Sequence, residues 1–249
     1  MFRFFRQLRK NLIGNGQVRR YFLYALGEIA LVVIGILLAL QIDAWNTERT
    51  ERKKEVLYLK EIRANLEDDL DNVEYSIAFN RKKDSVITAS LNAMLHAGSN
   101  LEAMVTISRN MPILAEFSVY TQNRVAFDNM LSAENIDLIS GDSLRTALSA
   151  YYAEQNLLDG TQERVKQLTR IFVDNITPSL MNRENIARFF QDNNFISGND
   201  LDFTTNRVLF GDLFSMQRNI ESHTLYLQNY QKEIRALIDH INAFLKSTI

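Results

Sequence analysis

From Thr47 to Ala97 the chain reads TERTERKKEVLYLKEIRANLEDDLDNVEYSIAFNRKKDSVITASLNAMLHA, without a Gly or a Pro. Val56, Leu59, Leu66, Leu70, Val73, Ile77, Ile87, Leu91 and Met94 recur at spacings of three and four or their multiples. That period predicts one helix of about 50 residues with a coiled-coil-like seam. Arg63, Asn80 and Asp84 interrupt the seam, and His96-Ala97-Gly98 ends it. The rest of the chain agrees. With 2 Pro and 9 Gly in 249 residues, few turns are available, so an all-β fold is excluded and long helices are favoured. There is no Cys, which excludes disulfides, thiolate metal sites and a Cys nucleophile.

Upstream, Tyr21 to Ile42 reads YFLYALGEIALVVIGILLALQI, with Glu28 as its single charge. As a helix this stretch is about 33 Å long, enough to cross a bilayer core. Tyr21 and Tyr24 at one end and Trp45 at the other suit the two interfaces. The alternatives are a buried core helix and a cleaved signal peptide. The apolar run is long for a signal peptide, and Ile42-Asp43-Ala44 is a poor cleavage site. A retained transmembrane helix over 21–43 is therefore expected.

The charge is unevenly spread. Residues 1–20 contain Arg3, Arg6, Arg9, Lys10, Arg19 and Arg20 and no acidic residue, so in a chain of net charge −2 the remainder is acidic. Met1, Phe5, Leu8 and Leu12 lie on one helical face, with the cations mostly on another. This amphipathic head is expected to lie on anionic lipid headgroups. Nucleic acid is the competing partner for a basic head, and the adjoining span argues against it. The basic bias orients the N-terminus to the cytoplasm. In a bacterium the protein would sit in the inner membrane, with residues 44–249 as a periplasmic domain. Within the span, Glu28, Val32, Gly35 and Ala39 fall on one face, and Gly35 and Ala39 form a small-xxx-small pair that lets helix backbones approach. Glu28 either contacts a partner helix or snorkels toward the headgroups.

Gly27-Glu28-Ile29-Ala30-Leu31-Val32-Val33-Ile34-Gly35-Ile36-Leu37-Leu38-Ala39-Leu40-Gln41-Ile42, followed by Trp45-Asn46, closely resembles the start of a family of single-pass proteins from Bacteroidota that is catalogued as a domain of unknown function. A looser match runs from Phe127-Asp128-Asn129-Met130-Leu131-Ser132 through Ile136-Asp137-Leu138-Ile139 to Leu144, Leu148 and Tyr152. The resemblance implies a short basic head, one span and about 200 mostly helical residues. It implies no activity. Members of that family often carry Gly where this chain has Glu134 and Asn135, and Asn135 is the residue expected to adopt the left-handed conformation there.

Downstream, short helices are expected over Leu101–Arg109 and Thr121–Ala133, with a turn at Met111-Pro112 between them. A helix from Gly141-Asp142-Ser143 to about Ile176 carries Leu144, Leu148, Tyr151, Tyr152, Leu158, Val165, Leu168 and Ile171 on its apolar face. Asn175 to Pro178 breaks the chain, Met181–Gln191 is a further short helix and Asp192–Thr205 a loop. A second long helix over Arg207–Lys246 presents Leu213, Met216, Ile220, Leu225, Leu227, Tyr230, Ile234, Leu237, Ile241 and Leu245. The reading is an all-α protein: a transmembrane helix, then a bundle in which 50–97 and 207–247 pair antiparallel with 142–176 alongside.

Catalytic signatures are missing: there is no HExxH, P-loop, Rossmann glycine pattern or GxSxG. His96, His223 and His240 are dispersed and read as surface or helix-end residues. Glu67, Asp68, Asp69, Asp71 and Glu74 read as a solvated acidic face, not a metal site. Asp192 to Asp200 lacks the spacing and closing Glu of a calcium loop. Ser140 and Ser143 read as caps, and Tyr151 and Tyr152 as core aromatics. No catalytic residue, cofactor or metal is expected. The expected partners are membrane lipids and either another membrane protein or a second copy, met through the span and the long helices. A membrane-anchored interaction module or accessory subunit fits best. The alternative is an extracytoplasmic ligand-sensing domain that signals through a partner.

Overall fold

The computed structural model describes residues 18–153, 155–180 and 202–248. Every regular element among them is helical: α1 (Val18–His96), α2 (Asn100–Leu114), α3 (Val125–Ser132), a 3-10 turn (Ile136–Leu138), α4 (Asp142–Ala153), α5 (Gln155–Leu180) and α6 (Arg207–Thr248). The chain divides into two compact units, residues 1–56 and 57–249. In the first, residues 22–54 are almost wholly exposed. Residues 1–17 of the head expected over 1–20, the helix expected over Met181–Gln191, and residues 192–201 of the loop expected over Asp192–Thr205 lie outside the described residues, including the carboxylates weighed for calcium.

The second unit is an antiparallel bundle. Residues of α1 meet α6 in reverse order. Arg63 Nη1 donates to Asn242 Oδ1 at 3.1 Å, Arg235 Nη2 donates to Glu74 Oε1 at 2.6 Å, and Gln217 Nε2 donates to Thr88 Oγ1 at 2.8 Å. The apolar stripe of α6 keeps a strict three-four spacing: Leu209, Leu213, Met216, Ile220, then Leu227, Tyr230, Ile234, Leu237, Ile241 and Leu245 are all buried. At the far end of α1 the core brings together Ile87, Leu91 and Met94 with Ile107 and Leu114 of α2, Phe172 and Ile176 of α5, and Phe203, which lies just before α6. Such burial, at roughly 1.5–3 kcal/mol per large side chain, is what holds amphipathic helices together.

Several local expectations are corrected. Pro112 does not end α2. It sits inside the last turn, and burial of Ile107 and Leu114 carries the helix on to Leu114. Nor does the Asn175–Pro178 stretch break α5, which continues to Leu180. Ile176 is buried there, and Asn175 Nδ2 donates to Asp212 Oδ2 at 2.7 Å. Phe172, not Ile171, faces the core. Leu225 is exposed, and His223 takes the core position of that turn. Residues 121–124 are not helical, because α3 starts only at Val125. Residues 116–124 form an irregular strap instead.

The left-handed residue after α3 is Glu134, with φ 55°, not Asn135. Asn135 N–H donates to Met130 O at 3.0 Å and Glu134 N–H to Leu131 O at 3.0 Å, the paired bonds of a Schellman cap. Glycine fills this position most easily. Close packing also requires a glycine at 141: a Cβ there would come within 2.9 Å of the Phe244 ring.

Candidate functional site

Two features stand out. The first is the apolar part of α1. Its most apolar 18-residue window has a mean hydropathy of 2.5, and none of it is buried. The helix is thus long and apolar enough to cross a membrane, and a buried core helix is excluded. Phe22, Leu23, Ile29, Leu31, Leu40 and Ile42 are each more than half exposed. Glu28, Val32, Gly35 and Ala39 all lie on the exposed helix. A Cβ at Gly35 would meet nothing within 4 Å, so this strip is open. Arg19 and Arg20 stand in the first turn of α1; Arg3, Arg6, Arg9 and Lys10 lie outside the described residues.

The second feature is a polar seam inside the bundle. Asp69, Ser76, Lys83 and Ser90 stand seven apart on α1, so they share one face, and all four are buried. Ser90 meets α2, and the other three meet the chain that runs back from α2 toward α3. Ser90 Oγ accepts from Asn110 Nδ2 at 3.0 Å. Lys83 Nζ donates to the Glu116 carbonyl and, at 2.9 Å, to Thr169 Oγ1 of α5. The hydroxyls of Ser76 and Ser118 are 2.8 Å apart. Asp69 Oδ1 accepts from the Asn123 N–H at 2.8 Å. The strap therefore runs antiparallel to α1 and is pinned at three of these positions, Asp69, Ser76 and Lys83. A non-helical segment outside a sheet leaves its backbone polar groups to be satisfied by side chains, and these residues supply part of that need.

The seam ends in a buried cluster. Tyr151 O–H donates to Asp69 Oδ2 at 3.1 Å, and the Tyr120 and Tyr151 hydroxyls are 3.2 Å apart. With Tyr151 donating to the carboxylate, Tyr120 is the donor of the second bond. The Tyr120 N–H donates to Gln162 Oε1 at 2.6 Å, and Gln122 Nε2 donates to the Tyr151 carbonyl at 3.2 Å. Tyr152 stacks on Phe127 with centroids 4.3 Å apart. The Arg124 guanidinium lies 5.6 Å from the Tyr152 ring centre. Beyond Tyr151, a groove of about 280 Å³ between α4 and α6 is lined by Ala147, Ala150, Glu233, Ala236, Leu237 and His240.

Burial dominates the electrostatics. It raises the Asp69 carboxyl, against the pull of the Asn123, Tyr151 and Tyr120 hydrogen bonds. Burial also raises the Tyr120, Tyr151 and Tyr152 phenols, so none is a phenolate near neutrality. The Lys83 amine is pushed down to about 7 by burial, with the Glu116 carboxylate opposing. His223 is pushed down to about 4 by burial, and its Nδ1 pairs with Asn80 Nδ2 at 3.1 Å.

These positions correct the sequence reading. Asp69 is not on a solvated acidic face, and His223 is not a surface residue. Leu70 is half-buried, and Asp69 holds the core phase next to it. Tyr151 and Tyr152 are core aromatics, as expected. Among the described residues, no group of three or more His, Cys, Asp or Glu is placed to hold a metal ion. Each of the four α1 residues ties its helix to at least one other segment.

No curated protein and no solved structure matches the chain. One family does, over residues 28–162, which hold most of the N-terminal apolar segment, the four pinning residues of α1 and the strap. The match covers more than half of the sequence, and the chain belongs to this family, DUF6090, a family of unknown function.

Proposed function

We infer that the protein is a membrane-anchored helical interaction module, an accessory subunit or scaffold without chemistry of its own. The observation that carries this reading is the exposed apolar helix at the start of the chain. An apolar surface of that length in water is untenable for a soluble monomer, whereas in a bilayer it is the ordinary solvent-facing side of a span. The cationic residues before it support a cytoplasmic N-terminus and a helical domain in the periplasm of a bacterial inner membrane. The resemblance of the span to single-pass proteins of Bacteroidota supports that topology. Arg3, Arg6, Arg9, Lys10, Arg19 and Arg20 would meet lipid headgroups. Glu28, Val32, Gly35 and Ala39 would meet a span of another membrane protein or of a second copy. Nucleic acid, cofactor and metal have no part in this reading.

The test is carbonate extraction of native membranes, followed by protease treatment of spheroplasts. The expected result is a protein that resists extraction and loses its C-terminal domain to external protease. Release by carbonate, or protection of that domain, would overturn the reading.

A further inference from the structure

Lys83 is the pin that joins three segments: it stands on α1 and donates to the strap at Glu116 and to α5 at Thr169. It is fully buried. An ammonium has three N–H donors and a neutral amine two. The two acceptors around Nζ therefore match the neutral amine. The charged group acting on it is the Glu116 carboxylate, at the start of the strap itself. The other elements offer neutral groups: Thr169 on α5, Asn110 of α2 beside Ser90, and His223 of α6, which pairs with Asn80 one turn away. The strap is a good candidate for local release. No helix runs through it, the helix-type backbone bonds at its ends are Glu116 N–H to Ile113 O and Asp128 N–H to Arg124 O, and much of its attachment is through single side-chain bonds.

We propose that residues 116–124 open as a local unit while the helices stay folded, and that the protonation of Lys83 sets the opening equilibrium. Opening lets water reach the amine, which then takes a proton over the range where a solvated lysine is charged. Closing returns that proton to solvent. Between the depressed value near 7 and the ordinary 10.5, the open state binds one proton more. The strap thus closes more tightly as pH rises through this window. Below about pH 7 both states carry the proton and the dependence vanishes. The strap would in this way couple the local proton concentration to the exposure of one side of the interaction domain.

The experiment is amide hydrogen exchange on the full chain in lipid nanodiscs at pH 6, 7, 8, 9 and 9.5, corrected for intrinsic rates. The expected opening constant for strap peptides falls toward tenfold per pH unit above about 7.5, the limit for one linked proton, and is level from pH 6 to 7. Peptides from the centre of α6 open far less often. In Lys83→Met the strap loses the slope. If that variant does not fold, Thr169→Val tests the same site: removing one acceptor should shift the slope along the pH axis. A strap that exchanges at the rate of α6, a wild-type opening constant level across the series, or a slope retained in Lys83→Met would each overturn the proposal.

Discussion

Replacing Asp69 by Ala tests whether the polar seam holds the bundle together. Asp69 accepts from the Asn123 N–H at 2.8 Å and from the Tyr151 hydroxyl at 3.1 Å. Both donors are at buried or partly buried positions. Leaving a buried donor unsatisfied costs about 1–3 kcal/mol. Removing the carboxylate also removes its own burial penalty, which shows as the raised pKa of the group, so part of the loss is offset. The net expectation is a destabilisation of about 2–4 kcal/mol. For a chain of this size that is a fall in Tm of roughly 5–15 °C. Asp69→Asn separates shape from charge. Its amide oxygen keeps the Asn123 bond, and the Tyr151 hydroxyl can turn to accept from the new NH2 group, so a change within about 1 kcal/mol is expected. The assay is far-UV circular dichroism of thermal unfolding in mild detergent, because the single Trp, Trp45, lies beside the apolar segment and does not report on the bundle. A wild-type Tm in Asp69→Ala would refute the reasoning and return Asp69 to the solvated face that its acidic neighbours suggested.

Acid should weaken the bundle through His223. Its folded pKa, about 4, lies below the unfolded 6.5, so between those values the unfolded chain binds more protons and stability falls as pH falls. The slope from this one group reaches about 1.4 kcal/mol per pH unit, and urea titrations from pH 7 to 4.5 on wild type and His223→Leu should show it lost in the variant. Glu134→Gly should stabilise by about 1 kcal/mol, since the residue holds φ 55°; a lower urea midpoint would contradict the cap geometry. Gly141→Ala should destabilise, since the new Cβ would come within 2.9 Å of Phe244; an unchanged Tm would mean that the ring moves away freely. Glu28→Gln should alter recovery of the partner if Glu28 contacts another span, and should leave it unchanged if Glu28 snorkels.

The long helices were legible because their apolar period is regular and uninterrupted by Gly or Pro. What escaped was the identity of some core residues. Asp69 and His223 are polar, and polarity argued both to the surface, while Lys83 drew no reading at all, although the phase of their neighbours places all three inside. The heptad spacing of Asp69, Ser76, Lys83 and Ser90 was a signal present in the sequence. It gained meaning only once the strap was seen to need hydrogen-bond partners. The strap itself was hidden for the same reason: residues 121–124 carry no local breaker, and distant groups on α1, α4 and α5 keep that stretch of chain from continuing as a helix. Pro112 and Pro178 misled in the opposite direction, because each falls in the last turn of a helix that buried side chains sustain. Glu134 shows the limit of residue preference. The turn demands a left-handed residue at that place in the chain, and the closing bonds to Met130 and Leu131 impose it on a Glu ahead of the better-suited Asn135.

The most direct test of the interaction reading is affinity capture of the tagged full-length protein from its native membrane in mild detergent, beside a tagged Gly35→Leu/Ala39→Leu protein. Leucines at those two positions would fill the open strip of the span and keep backbones apart. The account predicts a stoichiometric companion, another membrane protein or a second copy, that is recovered with the wild type and lost or sharply reduced with the variant. Recovery of wild type and variant alike as a lone monomer would contradict it.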